Sequence, residues 1–426
     1  MNRRLLSTII ATTLAAAAIA QSGTNSPYSQ YGLGVLADRS QSFSRGMNGA
    51  SLALRRGNVV NTMNPASYSA VDSLTMIFDV AMSGQITNFK EDRKRVNAKN
   101  ANFEYAVGLF RLLKGVGMTF GILPYSNVGY KYTASSYLDA TNGTITETYS
   151  GEGGLHQAFL GAGVRLLPQL SLGVNVGYLW GSIDRTVTSS STTYINSLYK
   201  IYSASVNSYT AEAGLQFTQR ITKTDELTLG VTASLGHKLK SNPDCSIINA
   251  AVSGLRDTTT LVAHNALELP MTYGVGLGWQ HGNKLFVDAD VMLQKWGDTA
   301  FPAYSSETSS YAPRKGLLRD RWKASVGANF VPNSLSRNYL NRVHYRLGAG
   351  YATPYYNING KKGPSEISLS AGFGLPLQNA YNNRSMLHIS GQWVHTSADG
   401  MIRENMFRLN VGLTFNERWF FKWKID

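Results

Sequence analysis

The sequence predicts an all-β protein, a transmembrane antiparallel β-barrel of about fourteen strands with an N-terminal segment inside its lumen. Three observations predict it: strict alternation of apolar and polar residues, repetition of that alternation along the chain, and connections that are short and long in turn. In the last regular segment, Phe407, Leu409 and Val411 share one face, whereas Arg408 and Asn410 share the other. Successive side chains of a strand point to opposite faces. Each strand therefore has one face for lipid and one for water.

Fourteen segments show this pattern, with aromatic residues often replacing aliphatic ones on the apolar face. They centre on residues 74–87, 102–113, 116–133, 145–166, 169–186, 201–220, 225–240, 258–280, 284–296, 315–331, 342–356, 364–376, 385–396 and 404–416. An even number of strands returns both ends of the barrel domain to the same side of a membrane.

The predicted connections support the barrel independently, because outer-membrane barrels have short periplasmic turns and long external loops. The short connections are Lys114-Gly115, the residues around Pro168, Thr222 to Thr224 and His281 to Asn283. The long connections are Lys90 to Ala101, Ser135 to Gly143, Ser189 to Lys200, Ser241 to Asp257 and Gly297 to Arg314. Short and long follow each other in order until residues 332–340 and 377–383, which lengthen the periplasmic side.

The N-terminus and the composition indicate export. Residues 1–20 contain two arginines, the apolar run Leu5 to Ala17 and the small-residue site Ala18-Ile19-Ala20, which together predict a cleaved signal peptide. The run is shorter than the ~20 residues that a spanning helix needs. Only 15% of the residues are charged, against ~25% in typical soluble proteins. We therefore expect an exported protein whose outward positions avoid charge.

The inward faces predict a polar lumen of mixed charge. Many inward positions are Gly or Ser, which leaves room for an inserted segment, and residues 21–73 are rich in Gly, Ser, Asn and aromatic residues. Because acidic and basic residues are mixed, the lumen is not a filter of one sign. The candidate lumen-lining residues are Glu104, Glu212, Asp288, Asp290, Lys323, Arg346, His388 and Arg408.

No motif indicates catalysis, a metal or a cofactor. Asp288 and Asp290 could chelate a hard cation, but calcium needs six to eight oxygen ligands, and the others cannot be identified. Ion pairing with Arg321, Lys323 or Arg346 is the favoured prediction. The histidines lack metal-ligand spacing, and neither a nucleophile elbow nor a P-loop is present. We expect a protein that is not an enzyme and binds neither metal nor cofactor.

The formal net charge of +14 predicts anionic partners. Since the sequence has an export signal and no nucleic-acid module, the expected partners are outer-membrane lipid and lipopolysaccharide, and no nucleic acid. For the basic stretch Lys90 to Lys99, a solvated loop tip and a contact with lipopolysaccharide phosphates remain equal alternatives. The basic and aromatic tail Glu417 to Asp426 suits the membrane–water boundary, with docking of a partner protein as the alternative.

Short motifs add a family resemblance. The stretch from Arg45-Gly46-Met47 through Asn64-Pro65-Ala66-Ser67-Tyr68, in a glycine-rich segment between an export signal and fourteen strands, resembles the FadL-type outer-membrane transporter superfamily. The resemblance implies an N-terminal hatch in the lumen, with Asn64, Pro65, Tyr28 and Tyr31 as hatch and gate residues. The motifs Ser26-Pro27-Tyr28-Ser29 and Tyr31-Gly32-Leu33-Gly34, together with the ending Asn416-Glu417-Arg418-Trp419, are similar to a branch of this superfamily that includes the plug subunit of the type IX secretion translocon. The implied layout is signal peptide 1–20, hatch 21–73, barrel 74–416 and periplasmic tail 417–426.

The resemblance implies two functions that need the same barrel. In the first, the protein moves a hydrophobic small molecule across the outer membrane of a Gram-negative cell, past the hatch. In the second, it is a non-transporting plug or accessory subunit of a type IX protein secretion translocon, with the other translocon subunits as partners. The sequence alone leaves both open.

Overall fold

Fourteen antiparallel strands form a closed barrel, which confirms the predicted fold class. In this computed structural model the described residues are 23–73, 75–137, 143–191, 196–251, 253–377 and 385–418. The predicted signal peptide and residues 419–426 of the predicted tail lie outside them. Each strand is hydrogen-bonded to the next, and the last pairs with the first from Thr75–Arg418 to Lys90–Arg403.

Each of the fourteen predicted segments contains one barrel strand. The segment 258–280 is too long, because it also includes part of the hairpin strand Arg256–Val262 and the barrel strand begins only at Thr272. The strands are β1 Thr75–Glu91, β2 Lys94–Leu113, β3 Val116–Tyr137, β4 Thr144–Arg165, β5 Leu170–Ser191, β6 Ser197–Arg220, β7 Asp225–Ser234, β8 Thr272–His281, β9 Leu285–Gln294, β10 Arg321–Phe330, β11 His344–Ala352, β12 Ser365–Pro376, β13 Met386–Ser397 and β14 Arg403–Arg418.

Shorter elements lie in the connections and before β1. One α-helical turn spans Ser42–Arg45, and 3-10 turns span Pro27–Gln30, Pro65–Ala70, Trp296–Asp298 and Leu340–Arg342. Hairpins pair Asp244–Ala250 with Arg256–Val262 and Phe301–Ser305 with Ser310–Arg314. Two-residue strands are Val35–Leu36, His237–Lys238, Glu268–Leu269, Asn357–Ile358 and Lys361–Lys362. In the described part of the chain, no helix has the length and apolar character to cross a membrane.

Several predicted boundaries are wrong, and two of them have a clear physical reason or extent. The predicted loop Lys90 to Ala101 consists mostly of strand, because β1 and β2 continue through it to a turn at Asp92, whose φ is +47°. Outside a membrane both faces of a hairpin meet water, so the pairing continues after the apolar alternation has ended. At the other end, β14 extends to Arg418, two residues beyond the predicted barrel limit at residue 416.

The outer surface carries the apolar face of the strands. Phe407 and Leu409 on β14 are 60% and 54% exposed, whereas Asn410 on the same strand is 4% exposed. Exposed apolar side chains continue round the barrel, including Val176 on β5 and Leu347 on β11. A polar interior inside an apolar band is the arrangement of a barrel whose wall contacts lipid.

The two ends of the barrel differ. The connections 114–115, 166–169, 221–224 and 282–284 are short and lie at one end, which we call the turn end. At the opposite loop end, all connections have five or more residues except the two-residue turn between β1 and β2. The hairpin strand Asp244–Ala250 also lies there and pairs with residues 197–203 of β6. The connections 331–343 and 377–385 are the long exceptions at the turn end, as the sequence predicted.

Candidate functional site

Residues 23–72, which we call the lumen segment, lie inside the barrel. Their backbone packs against inward-facing glycines on strands all round the wall. A Cβ atom added to Gly173 would lie 2.2 Å from the Pro65 carbonyl carbon, and one added to Gly230 would lie 2.1 Å from the Leu52 carbonyl oxygen. Such distances are far below van der Waals contact, so only glycine permits this approach. Glycines in contact with the lumen segment include Gly117, Gly163, Gly173, Gly214, Gly230, Gly276, Gly327, Gly348, Gly372 and Gly412.

A buried ion pair anchors the lumen segment to the wall. Arg45 Nη2 lies 2.9 Å from Glu104 Oε2, and both side chains are almost fully buried. Arg45 also donates hydrogen bonds to the side chain of Asn410 and to the backbone carbonyls of Asp38 and Ser40, each at 3.0 Å. Breaking a buried pair by removing one partner leaves an uncompensated charge. The carboxylate of Glu104 can therefore be buried at this position only because Arg45 neutralises its charge.

The predicted hatch residues Asn64 and Pro65 form a second anchor. Asn64 caps the 3-10 turn Pro65–Ala70, because its side-chain oxygen accepts a hydrogen bond from the Ala66 N–H at 3.1 Å. Its side-chain nitrogen donates to the carbonyls of Leu52 at 2.8 Å and of Leu215 on β6 at 3.1 Å. Asn64 thus joins two parts of the lumen segment to the barrel wall.

Replacing Asn64 by aspartate tests this anchor with almost no change in size. The variant loses both donated hydrogen bonds and places a carboxylate oxygen against two carbonyl oxygens. We expect Asn64→Asp to lower the free energy of unfolding by about 3 kcal/mol, since a buried unpaired polar group costs 1–3 kcal/mol and more when it is charged. Denaturant titration in detergent measures this, and a loss below about 1 kcal/mol would contradict the assigned contacts.

The predicted ion pairing of Asp288 and Asp290 is wrong. The carboxylate of Asp290 accepts backbone hydrogen bonds from Ser51 at 2.7 Å and Leu52 at 3.0 Å. Among the described residues, no salt bridge joins either aspartate to Arg321, Lys323 or Arg346. Arg321 pairs instead with Glu366, and Arg346 donates to Asn329 and His388. The Asp290 carboxylate thus holds backbone N–H groups of the lumen segment, which the sequence alone could not position.

The remaining predicted lumen residues also face inward, but they do not converge on one site. Glu212 pairs with Arg39 of the lumen segment at 2.7 Å, and Arg408 donates to Gln85. Lys323 lies near Asp38: burial alone would raise the pKa of Asp38, but the charges of Lys323 and Arg45 hold it well below its ordinary value. Within the described ranges, no group of three or more His, Cys, Asp or Glu side chains could hold a metal ion.

Tyr28 and Tyr31, the other predicted gate residues, lie in an aromatic cluster at the loop end. The Tyr28 hydroxyl donates to the carbonyl of Ile402. Tyr31 stacks on Tyr356 with ring centroids 5.1 Å apart, and the Tyr355 hydroxyl donates to the carbonyls of Tyr31 and Gly34. The cluster therefore joins the lumen segment to two connections of the loop end.

The wall contains a gap between β2 and β3. These strands pair only from Leu113–Val116 to Ala106–Ile122. Beyond Ala106, β2 bonds to β1 alone, and beyond Ile122, β3 bonds to β4 within the main sheet. Two irregularities flank the separation: Glu104 is unpaired in a bulge against β1, and Tyr125 is unpaired in a bulge against β4. β-Bulges bend the strand that carries them, and here they direct β3 away from β2.

The start of the lumen segment occupies this gap. Val35–Leu36 pairs antiparallel with Ser126 and Asn127 on the free edge of β3. On the opposite side, the Asn102 side chain of β2 donates to the carbonyl of Gly23 at 2.9 Å. Ser26 donates to the carboxylate of Glu404 on β14 at 2.6 Å. The chain itself therefore supplies the missing connection between the two strand edges.

A cavity of about 1550 Å³ connects the lumen with the gap. Its lining combines inward-facing polar residues, among them Asn102, Glu104 and Lys323, with the outward-facing apolar residues Phe120 and Ile122. Since both faces of the wall border one cavity, the cavity reaches the outer surface sideways. Its volume exceeds the 300–1,000 Å³ of ordinary small-molecule pockets.

The sequence contained signals for this gap that pattern reading missed. Pro124 lies in the middle of β3, and proline is normally restricted to strand edges and bulges. Just beyond it, opposite Asn127 and Val128, Gly154 and Gly153 on β4 adopt φ values of +151° and +109°, which favour glycine. The proline and the two glycines mark the bend in the wall. Arg45 was also missed, because a single basic residue in a glycine-rich stretch shows no periodicity.

The family model of BamG matches residues 1–426. The chain belongs to the BamG family. Among curated proteins, none matches this BamG-family chain in sequence.

Solved structures share the fold of this BamG-family protein. The monoaromatic hydrocarbon channel CymD is 15% identical with a TM-score of 0.60, over 91% of this chain and 99% of its own. The toluene transporter TbuX of Ralstonia pickettii is 12% identical with a TM-score of 0.61, over 89% of this chain and 98% of its own. A FadL homologue of Pseudomonas aeruginosa is 12% identical with a TM-score of 0.61, over 90% of this chain and 99% of its own. The predicted resemblance to FadL-type barrels is confirmed at the level of the fold.

Proposed function

We propose that this BamG-family protein is an outer-membrane barrel that moves hydrophobic small molecules sideways between its cavity and the lipid. The observation that carries the proposal is the gap between β2 and β3, which opens a large cavity toward the apolar outer surface. The turn end would face the periplasm and the loop end the cell exterior. CymD and TbuX, which share the fold, are described as a hydrocarbon channel and a toluene transporter.

The start of the lumen segment would act as the gate. It contributes only two residues of strand pairing to β3, at Val35–Leu36. Releasing so short a strand is far less costly than separating two barrel strands. Residues 40–70, held by Arg45, Asn64 and the inward glycines, would stay in place. A solute could then pass the gap without expulsion of the whole lumen segment.

A disulfide that locks the gate tests the proposal. Leu36 and Ser126 lie directly opposite each other in register, and the Cα separation of antiparallel pairs falls within the range of disulfides. In a Cys245→Ser background, we expect the Leu36→Cys/Ser126→Cys variant to lose uptake of labelled toluene when oxidised and to recover it when reduced.

Ser246→Cys/Thr260→Cys provides a matched control, since it places a disulfide in the external hairpin away from the gap, where the two hydroxyl oxygens are 3.0 Å apart. Its uptake should be the same in both redox states. Unchanged uptake by the oxidised Leu36→Cys/Ser126→Cys variant would overturn the gate, and equal uptake with and without the protein across hydrophobic probes would overturn transport.

A second candidate function is that of a non-transporting subunit of a larger outer-membrane assembly, of the kind that a type IX secretion translocon contains. The close fit of the lumen segment against ten inward glycines and the buried Arg45–Glu104 pair favour it, because they seal the lumen. Gentle extraction followed by affinity isolation separates the candidates. Stable recovery of partner proteins, together with absence of uptake, would favour the subunit, whereas isolation only as a free monomer would count against it.

A further inference from the structure

The connection between β10 and β11, residues 331–343, is thirteen residues long at an end where four other connections have two to four residues. Hydrogen bonds within the loop join its backbone and side chains. Val331 and Val343 are buried at its base, and the Asn333 N–H donates to the Asn341 carbonyl at 2.8 Å. Further bonds within the loop come from the N–H groups of Leu335, Ser336, Asn338 and Leu340 and from the Asn341 side chain.

The loop displays apolar side chains. Leu335 is 92% exposed, Leu340 is 64% exposed and Tyr339 is 40% exposed. The loop contains Arg337 and Arg342 and no acidic residue. Arg337 is exposed and has no carboxylate within 4 Å among the described residues. A pre-organised surface with exposed leucines and a net positive charge is suited to an apolar partner with anionic groups at its boundary.

The position of the loop identifies that partner. The Tyr345 hydroxyl donates to the Leu340 carbonyl at 3.1 Å, and Tyr345 is on the outward face of β11. Its ring packs edge-on against Phe373 of β12, which is 50% exposed, and Phe330 of β10 is 46% exposed beside it. The loop therefore continues the aromatic, lipid-facing belt of the barrel. Aromatic side chains concentrate at the boundary between hydrocarbon and head groups.

We propose that residues 331–343 bind anionic phospholipid at the turn end of the barrel. Leu335 and Leu340 enter the boundary of the hydrocarbon layer, and Arg337 contacts lipid phosphates, as in interfacial segments that combine apolar and basic residues. The loop would fix the depth and tilt of the barrel on the side of β10 to β12. This inference rests on the membrane insertion contained in the proposed function.

Fluorescence quenching in vesicles tests it. In the Cys245→Ser background, an environment-sensitive dye is attached to Leu335→Cys, to Lys223→Cys in the short connection 221–224, or to Phe407→Cys in the lipid-facing band. Lipids that are spin-labelled near the head group serve as the quencher. We expect the Leu335→Cys label to be quenched and blue-shifted, and the Lys223→Cys label to remain in water.

The lipid preference is measured with spin-labelled phosphatidylglycerol against phosphatidylcholine. When Arg337→Gln is added to the labelled Leu335→Cys variant, its preference for phosphatidylglycerol over phosphatidylcholine should fall by about fivefold. This is the factor for one basic residue near an anionic surface. A Leu335→Cys label that stays in water while the Phe407→Cys label is quenched would overturn the inference and assign the loop to a protein partner. An unquenched Phe407→Cys label would overturn membrane insertion, and the inference with it.

Discussion

Arg45→Met is expected to lower the free energy of unfolding by about 3–5 kcal/mol, the cost of removing one partner from a buried ion pair. Methionine fills similar space but leaves the buried carboxylate of Glu104 without its ion-pair partner. The lumen segment should detach before the barrel unfolds. Limited proteolysis of the folded barrel and denaturant titration in detergent measure the two steps.

The double variant Arg45→Met/Glu104→Gln distinguishes loss of the pair from loss of packing. Because it removes both charges, we expect it to be more stable than Arg45→Met alone. Arg337→Met is the matched control at an exposed position and should change stability by less than about 0.5 kcal/mol. Equal protease resistance of Arg45→Met and the unmodified protein would show that the pair does not anchor the segment.

Gly230→Val is the second change with a large expected effect. Its first side-chain carbon would lie 2.1 Å from the Leu52 carbonyl oxygen, so either β7 or the lumen segment must move. Overpacking of a close-packed core costs about 1–3 kcal/mol and occasionally more. Here the clashing atom belongs to the backbone, which cannot change rotamer. We therefore expect Gly230→Val to lower the free energy of unfolding by the upper value of this range or more.

Gly391→Val is the control for strand propensity. Gly391 lies on β13 with its missing side chain directed outward, and a Cβ atom added to it would have no neighbour within 4 Å. Valine at this position should be tolerated in detergent or should stabilise the strand. Heat-modifiable gel mobility and thermal unfolding compare the two variants. Similar unfolding temperatures for both would contradict the close fit of the lumen segment.

The barrel was predictable because one physical constraint acts on every strand. Lipid outside and a polar lumen inside impose a period of two, as at Phe407 and Arg408, and this period identifies the strands without any long-range information. The alternation disappears where a strand leaves the membrane. At Lys90 to Ala101 both faces meet water, so the hairpin between β1 and β2 lacks the alternation although its pairing continues.

The site was less predictable, because it depends on contacts between residues far apart in the chain. The inward direction of Glu104 follows from strand periodicity, but its partner Arg45 lies in a segment without periodicity. The role of Asp290 depends on the backbone of Ser51 and Leu52, which no side-chain pattern reveals. The gap required knowledge that β2 and β3 stop pairing at Ala106.

Competing disulfides at Ser126 test the central claim, that the N-terminal segment fills a gap between β2 and β3. In membranes from the Cys245→Ser background, Ser126→Cys is combined either with Leu36→Cys or with Asn102→Cys, which would face it if the pairing of β2 and β3 continued in register. We expect nearly complete oxidation of the pair with Leu36→Cys and a reduced pair with Asn102→Cys. Efficient oxidation of the Asn102→Cys pair, with none at Leu36→Cys, would show a continuous wall and contradict the claim.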